Sequence, residues 1–355
     1  MPNFRPDDLR RIGYALFEAA GCSPQDARTV VDHLVESSLF GHDSHGALRL
    51  YEYIHQIDQG LFDPKGKPGV VSERPCTAVV DGGGNLGQIG GRFATDLAIK
   101  KAKEHGVGVV SLRNTAHVGR VGAYPLQVAR EGLIGLVLVN AGNLGRQIAP
   151  YGGLDGTLST NPIAFAAPRR DADPIMVDMT TSVRAEGKLR VSKNRGEPLP
   201  EGWIIDHQGN PSTDPEDYFG DPPGAILPLG GVVGYKGYCL SVMVEIMGGA
   251  LSGQGCADGA KVMQSNGVTL TVYDIGHFAE PDDFFEQIEV LVRHIYTSRV
   301  DPKIGEILLP GQPEFRNAEQ CAAEGIPVDD TNWARIGEAA RLVGLDPAAW
   351  EGLRL

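Results

Sequence analysis

The sequence predicts an α/β (α+β) protein in which helical chain ends enclose an α/β centre. Three observations carry this. The first 60 residues repeat apolar side chains at helical spacing. From about Val70 short β-branched runs alternate with helical ones. After PGQPEF (Pro310–Phe315) the chain returns to helix.

Taken in order, Leu9, Ile12, Leu16 and Ala19-Ala20 form the stripe of a first helix, which Gly21 closes. Ser23-Pro24 supplies an N-cap and an N1 proline for a second helix through Leu39, ended by Gly41. A third helix is expected after Ser44, with Leu50, Ile54, Ile57 and Leu61 inward. VVSERP, TAVVD, VGVVSLR, LIGLVLVN, PIAFAAP, PIMVDM and GVTLTVYDI read as strands. GRFATDLAIKKAKEHG and YPLQVAREG read as helices. GYKGYCLSVMVEIMGGALSG is expected to be a mostly buried helix, and FFEQIEVLVRHIYTSR an amphipathic one. The Pro-, Gly- and Asp-rich stretch His207 to Gly231 is expected to be a long surface loop. AEQCAAEG and NWARIGEAARLVG close the chain as helices. The expected division is 1–70 with 310–355 as a helical domain, and 71–309 as an α/β region.

The formal charge is −13, from 45 acidic against 32 basic residues. That argues against nucleic acid and anionic membranes as partners. No apolar run reaches membrane-spanning length. Five cysteines, with no C-x-x-C, point to free thiols in a reducing compartment. The N-terminus lacks the apolar core of a signal peptide, so the expected location is the cytoplasm.

VVDGGGNLGQIGG (Val79–Gly91) places Gly82, Gly84 and Gly87 in G-x-G-x-x-G register. A dinucleotide fingerprint also needs an acidic residue about 20 positions on. The next strand instead ends at Arg113-Asn114, about 30 residues past Gly82. The favoured reading is a tight turn whose glycines permit close backbone approach.

GHDSHGALRLYEY (Gly41–Tyr53) is the stronger signal. A helix capped by Ser44 would align His45, Arg49 and Tyr53 on one face. Arginine can grip a carboxylate bidentately, and histidine can pass a proton near neutral pH. Each residue alone has a plainer reading as a cap or a solvated face. His42 and His45 also allow a metal reading, but no third ligand at suitable spacing completes it, and no metal is expected. In RNTAHVGRVGAYP, His117 follows a buried-type strand and precedes Gly119 and Gly122, where backbone N–H groups can meet a ligand. STNPIAFAAP sets Thr160-Asn161 before a proline-fixed turn. VDMTTS ends a strand at Asp178. Lys236 in GYKGY sits at a helix start, where an ammonium opposes the helix dipole, so an anionic partner is expected.

HDSHGALRLYEY, NTAHVGRVGAYP, STNPIAFAAP, VDMTTS, GYKGY and LPGQPEFR occur in the order seen in the type 2 malate/L-lactate dehydrogenase family, which the chain resembles over nearly its whole length. That family includes sulfolactate, ureidoglycolate and diketogulonate dehydrogenases and cyclic imino-acid reductases. The resemblance implies a non-Rossmann fold with a mixed central sheet and a helical domain built from both termini. It implies NAD- or NADP-dependent hydride transfer at a small 2-hydroxy or 2-oxo acid. It also implies a homodimer with the active site near the subunit interface. Ser44, His45 and His117 fall on catalytic positions, and Arg49, Tyr53 and Thr160 on substrate contacts. His117, Val118, Gly119, Arg120, Val121, Asp178, Met179, Thr180 and Lys236 fall on cofactor contacts. Arg113 and Arg120 are both candidates for an NADP phosphate.

Ser159 and Cys239 stand where the family usually has glycine. Its imino-acid reductases usually carry an aromatic residue after the second-motif histidine, where this chain has Val118. They also use a downstream acid, placed here near Glu186. An NADPH-dependent imino-acid reductase is the alternative within the class. A hydrolase holding a metal on His42, His45 and His117, and a non-catalytic binding protein, are the alternatives outside it. The cofactor is expected nearer His117 and Asp178 than Gly84.

Overall fold

The computed structural model of the chain describes residues 3–141, 147–257 and 265–353. A short strand, β1 (Asn3–Phe4), leads into helices α1 (Pro6–Ala19), α2 (Pro24–Leu39) and α3 (Arg49–Asp58). Asp7 and Asp8 stand in the first turn of α1, facing the positive end of its dipole. Ser23 caps α2 as its sequence predicts, its oxygen accepting from Asp26 N–H at 3.2 Å.

The α/β centre begins with β2 (Gly69–Glu73), β3 (Thr77–Asp81), α4 (Gly87–His105), β4 (Val107–Ala116) and α5 (Ala123–Arg130). It continues through β5 (Ile134–Asn140), β6 (Ile163–Arg169), β7 (Ala172–Met179) and α6 (Glu186–Arg195). A small unit follows: β8 (Ile204–Ile205), β9 (Pro211–Ser212), α7 (Pro215–Phe219) and β10 (Ala225–Ile226). Helix α8 (Tyr235–Val244) runs into a π-helical turn over Glu245–Ala250. Then come β11 (Ser265–Tyr273), α9 (Pro281–Ile295), α10 (Gln312–Glu324), β12 (Ile326–Pro327) and α11 (Asp330–Leu342).

The main sheet has the order β2-β3-β4-β11-β5-β6-β7. Only β3 and β4 run parallel; every other neighbouring pair is antiparallel. The late strand β11 is inserted between β4 and β5. Val80, Val110, Leu112, Val137 and Leu270 pack with Ala94, Ala98 and Tyr124 of α4 and α5 in one core. A second core joins the chain ends. Phe4, Leu9, Ile12 and Leu34 pack there with Ile326, Ile336 and Ala340. β1 pairs with β12, and the Phe4 ring stacks on Trp333 at 4.4 Å. Full burial of a side chain such as Phe4 stabilises by about 1.5–3 kcal/mol.

Most N–H groups of the glycine loop are already engaged within the protein. Gly82 N–H donates to Arg113 O, Gly83 N–H to Asp81 Oδ1, Gly84 N–H to Asn114 O and Leu86 N–H to Asn85 Oδ1. A Cβ on Gly82 would meet the Thr115 Cβ at 2.6 Å, and one on Gly87 would meet His117 O at 2.3 Å. These glycines let β3 and α4 lie against the end of β4, which is the close-approach reading. Gly87→Ala is therefore expected to lose about 1–3 kcal/mol, because both atoms it would strike first, His117 O and Ala116 O, are backbone. Thermal unfolding reads this directly, and an unchanged Tm would contradict it.

Several expectations need correction. Ser44 does not cap α3. Asp43–His45 form a separate 3-10 turn and α3 begins at Arg49, with no side-chain cap. Gly46, at φ −99° and ψ −145°, breaks the helix, and Ala47 N–H is held by Ser38 Oγ at 2.9 Å. His45 thus lies off the face shared by Arg49 and Tyr53. The stretch from His207 is not a bare loop. β9, α7 and β10 close over Ile148, Leu189 and Ile204 in a core of their own. Their runs are too short to show a period. The helix at Tyr235 is not mostly buried either. Its small residues Gly237, Ser241, Gly248 and Gly249 face inward, while Met243, Ile246 and Leu251 are 40%, 55% and 55% exposed. α9 is the helix the sequence predicts; on it Val292 is buried, and Val290 and Leu291 are exposed.

Candidate active site

Five predicted residues converge where the two cores meet. The 3-10 turn brings Ser44 and His45, α3 brings Arg49 and Tyr53, and the end of β4 brings His117. Ser44 Oγ lies 3.0 Å from His45 Nδ1. The His45 and His117 rings stack, with centroids 5.4 Å apart and planes at 22°. The Tyr53 hydroxyl lies 2.7 Å from His117 Nδ1. Arg49 Nε donates to Ser44 O at 2.6 Å, and its Nη1 pairs with Glu52. A Cβ on Gly187 would lie 3.7 Å from the Ser44 Cβ, so the start of α6 borders the cluster.

Burial, then the Arg49 charge, pushes His45 down to about 3 and His117 well below the usual histidine range. Both imidazoles are consequently neutral near pH 7. Burial raises the Tyr53 phenol to about 12. A carboxylate docking on Arg49 would offset the guanidinium field and ease protonation of either histidine.

The segment after His117 is anchored on three sides. Val118 N–H donates to Asn266 Oδ1, Arg120 N–H to His33 Nε2 and Gly122 N–H to Asp178 Oδ2, each at 2.9 Å. The Gly119 and Val121 N–H groups have no partner among the described residues, although both residues are buried. Buried N–H groups are rarely left unpaired, so this loop has room for an acceptor. Met179 is exposed, and Thr180 Oγ1 donates to Ser182 O. Thr160 O accepts from Thr181 N–H and Oγ1–H, which joins the two segments. Lys236 lies exposed at the start of α8 with no partner among the described residues.

Arg120 departs from the phosphate-partner expectation. It is 1% exposed, pairs with Glu36 and lies over the Phe40 ring. A guanidinium so enclosed is directed into the protein, and the Arg120 N–H is already held by His33. Arg113 is half-buried beside Gly253. Glu186 turns to Gln147 and Arg190. His42 turns to Glu314 while His45 turns to Ser44, so the two do not converge on a metal. Among the described residues no group of three or more potential ligands is placed to hold one.

Sequence reasoning missed Gln88, His33 and Glu52. Gln88 Nε2 donates to the Tyr53 oxygen at 3.1 Å. Burial pushes His33 down to about 3, in keeping with its ring accepting from Arg120 N–H. His33 sits within an ordinary helical run, while Gln88 belongs to the glycine-rich stretch, where the glycines drew the reading.

The family model described as malate/L-lactate dehydrogenase matches residues 4–337. The chain belongs to that family. The malate dehydrogenase of Pyrococcus horikoshii is 40% identical over 92% of this chain and 91% of its own. Among solved structures, the sulfolactate dehydrogenase of Methanocaldococcus jannaschii superposes with a TM-score of 0.89 at 31% identity, covering 98% and 99% of the two chains. The delta1-piperideine-2-carboxylate reductase of Pseudomonas syringae pv. tomato is more distant, with a TM-score of 0.83 at 28% identity, covering 96% and 100%. The chain is an oxidoreductase of the malate/lactate/sulfolactate dehydrogenase family. No helix among the described residues is long and apolar enough to cross a membrane.

Proposed function

We propose that this chain interconverts a small 2-hydroxy acid (malate, lactate, sulfolactate or similar) and its 2-oxo acid, using NAD or NADP. The observation that carries this is Arg49 standing beside the stacked His45 and His117 rings. Arg49 binds the substrate carboxylate, with its Nε and Nη1 already oriented by Ser44 O and Glu52. His45 and His117 hold and move the proton at the C2 oxygen: an imidazole accepts it as the hydroxy acid is oxidised and returns it on reduction. Ser44 orients His45. Thr160 is assigned to the substrate side by the family resemblance, its carbonyl held by Thr181.

The residues present fit a nicotinamide cofactor along the 117–122 loop and the end of β7. The buried N–H groups of Gly119 and Val121 suit anionic or carbonyl oxygens. Asp178 has only one carboxylate oxygen engaged by Gly122. Lys236 supplies a cation, and Val118, Arg120, Met179 and Thr180 contribute backbone or flanking contacts. When bound, the cofactor takes or gives hydride at C2; the protein's part is positioning and proton handling. On this reading the cofactor lies nearer His117 and Asp178 than Gly84, and its binding is not of the Rossmann mode.

The exposed Met243, Ile246 and Leu251 support a homodimer, since a monomer gains nothing from such a face. The division into 1–70 with 310–355 and 71–309 rests on the core that the chain ends share, which Leu86 and Ile89 also enter, and on the core of the sheet. The cytoplasmic reading rests on five cysteines that are all free. The imino-acid reductase reading is less supported. Val118 replaces the expected aromatic, and Glu186 is engaged by Gln147 and Arg190.

The test follows NAD(P)H absorbance with malate, lactate and sulfolactate, their 2-oxo acids and piperideine-2-carboxylate, each with both cofactors. Turnover of one hydroxy/oxo pair well above the imine is expected. Turnover of the imine alone, or activity lost on chelation, would overturn the proposal.

A further inference from the structure

The active-site cluster contains a buried chain of three groups whose directions can be worked out. Gln88 is 1% exposed at the start of α4, and its Nε2 donates to the Tyr53 oxygen at 3.1 Å. Tyr53 is itself 1% exposed, with its hydroxyl 2.7 Å from His117 Nδ1. Its oxygen therefore has two polar neighbours: an amide that donates and a ring nitrogen. The phenolic proton then has one acceptor, Nδ1.

The reverse order would have Nδ1–H donate to Tyr53. That strands the phenolic proton in a buried site, or turns the Gln88 amide so that the phenol donates to its oxygen. In the present order the Gln88 oxygen is the buried atom without a partner. Turning the amide would leave both of its N–H groups unpaired, in place of the oxygen and one N–H, and would point away from Tyr53 the nitrogen that the structure aims at it. Gly119 preserves the arrangement, because a Cβ there would meet Gln88 Nε2 at 2.8 Å and His33 Nε2 at 2.4 Å.

Resting on the dehydrogenase reading above, we propose that Tyr53 and Gln88 are positioning residues that hold His117 as its Nε2–H tautomer, and that Tyr53 is not a substrate contact. His117 Nε2, which has no partner among the described residues, then presents a donor to the 2-oxo oxygen. The proton acceptor for a substrate hydroxyl becomes His45, beside Ser44 Oγ. The stacked pair thus divides its work between a hydrogen-bond donor and a base.

The test uses 15N-histidine NMR on the full, unliganded chain, with the His117 signals assigned by their loss in His117→Gln. Wild type is expected to show a protonated Nε2 and an unprotonated Nδ1. Tyr53→Phe, which removes one oxygen, is expected to give a mixture of tautomers. In kinetics Tyr53→Phe and Gln88→Met should lower kcat by about 10- to 100-fold through misplacement of the ring, with KM for the oxo acid nearly unchanged. If Gln88→Met does not fold, Tyr53→Phe decides alone. A protonated Nδ1 in wild type would overturn the proposal, as would a raised KM with unchanged kcat in Tyr53→Phe. The NMR experiment needs neither substrate nor cofactor, so failure of the tautomer proposal and failure of the dehydrogenase reading are separable.

Discussion

Arg49→Lys is expected to lower kcat/KM for the 2-oxo acid by about 10- to 100-fold, mostly through KM. A charge-assisted hydrogen bond of this kind contributes about 1.5–3 kcal/mol, and each 1.4 kcal/mol is tenfold in affinity. Lysine keeps the charge but loses the planar fork that meets a carboxylate with two parallel bonds. It also loses the Nε contact that ties Arg49 to Ser44 O, so the turn carrying His45 is loosened as well. Steady-state kinetics over a range of oxo-acid concentrations reads the split. An unchanged KM would remove Arg49 from the carboxylate site.

His117→Gln and His45→Gln are expected to lower kcat by about 10²- to 10⁴-fold, the usual contribution of a positioned acid or base. Glutamine keeps polarity and approximate length, but it cannot take up a proton in place of His45 and its flexible amide does not hold a donor where the His117 ring does. If both variants keep wild-type turnover, the two rings have no chemical role. The pH dependence follows from the depressed pKa values. An unperturbed histidine base would lose activity as pH falls through about 6.5. Here burial and the Arg49 charge hold His45 near 3 and His117 well below the usual range, so the neutral, accepting form persists below 6.5. The kcat/KM for hydroxy-acid oxidation is therefore expected to stay level from pH 7 down past 6.5. A midpoint near 6.5 in the free-enzyme profile would show that the histidines are more solvated than the structure has them.

Much of the architecture was legible from local signals. The Ser23-Pro24 start of α2, the helical stripes at both ends and most strands of the sheet follow from period and cap chemistry, which act within a few residues. The glycine loop was legible too, because the missing acidic residue is a sequence fact. The start of α3 was not. Ser44 has the residue type of a cap, but Ser38 Oγ, from the preceding helix, holds Ala47 N–H and fixes the turn elsewhere. The small unit from Ile204 to Ile226 was invisible because two-residue strands carry no period. The exposed apolar side of α8 was misread because hydrophobicity all round a helix signals burial without saying in what.

In the candidate site, the sequence by itself determined which chemical groups are present: a serine, two histidines, an arginine and a tyrosine in ordered motifs. It also determined that the protein is acidic with free cysteines, and that its ends are helical. Tertiary structure alone decided that His45 faces His117 across 72 positions of chain, that Arg120 is drawn into a buried pair with Glu36, and that Gln88 reaches Tyr53. The physical reason is range. Periodicity and capping arise among neighbours along the chain, whereas burial, pKa and the direction of a proton depend on which segments the folded cores press together.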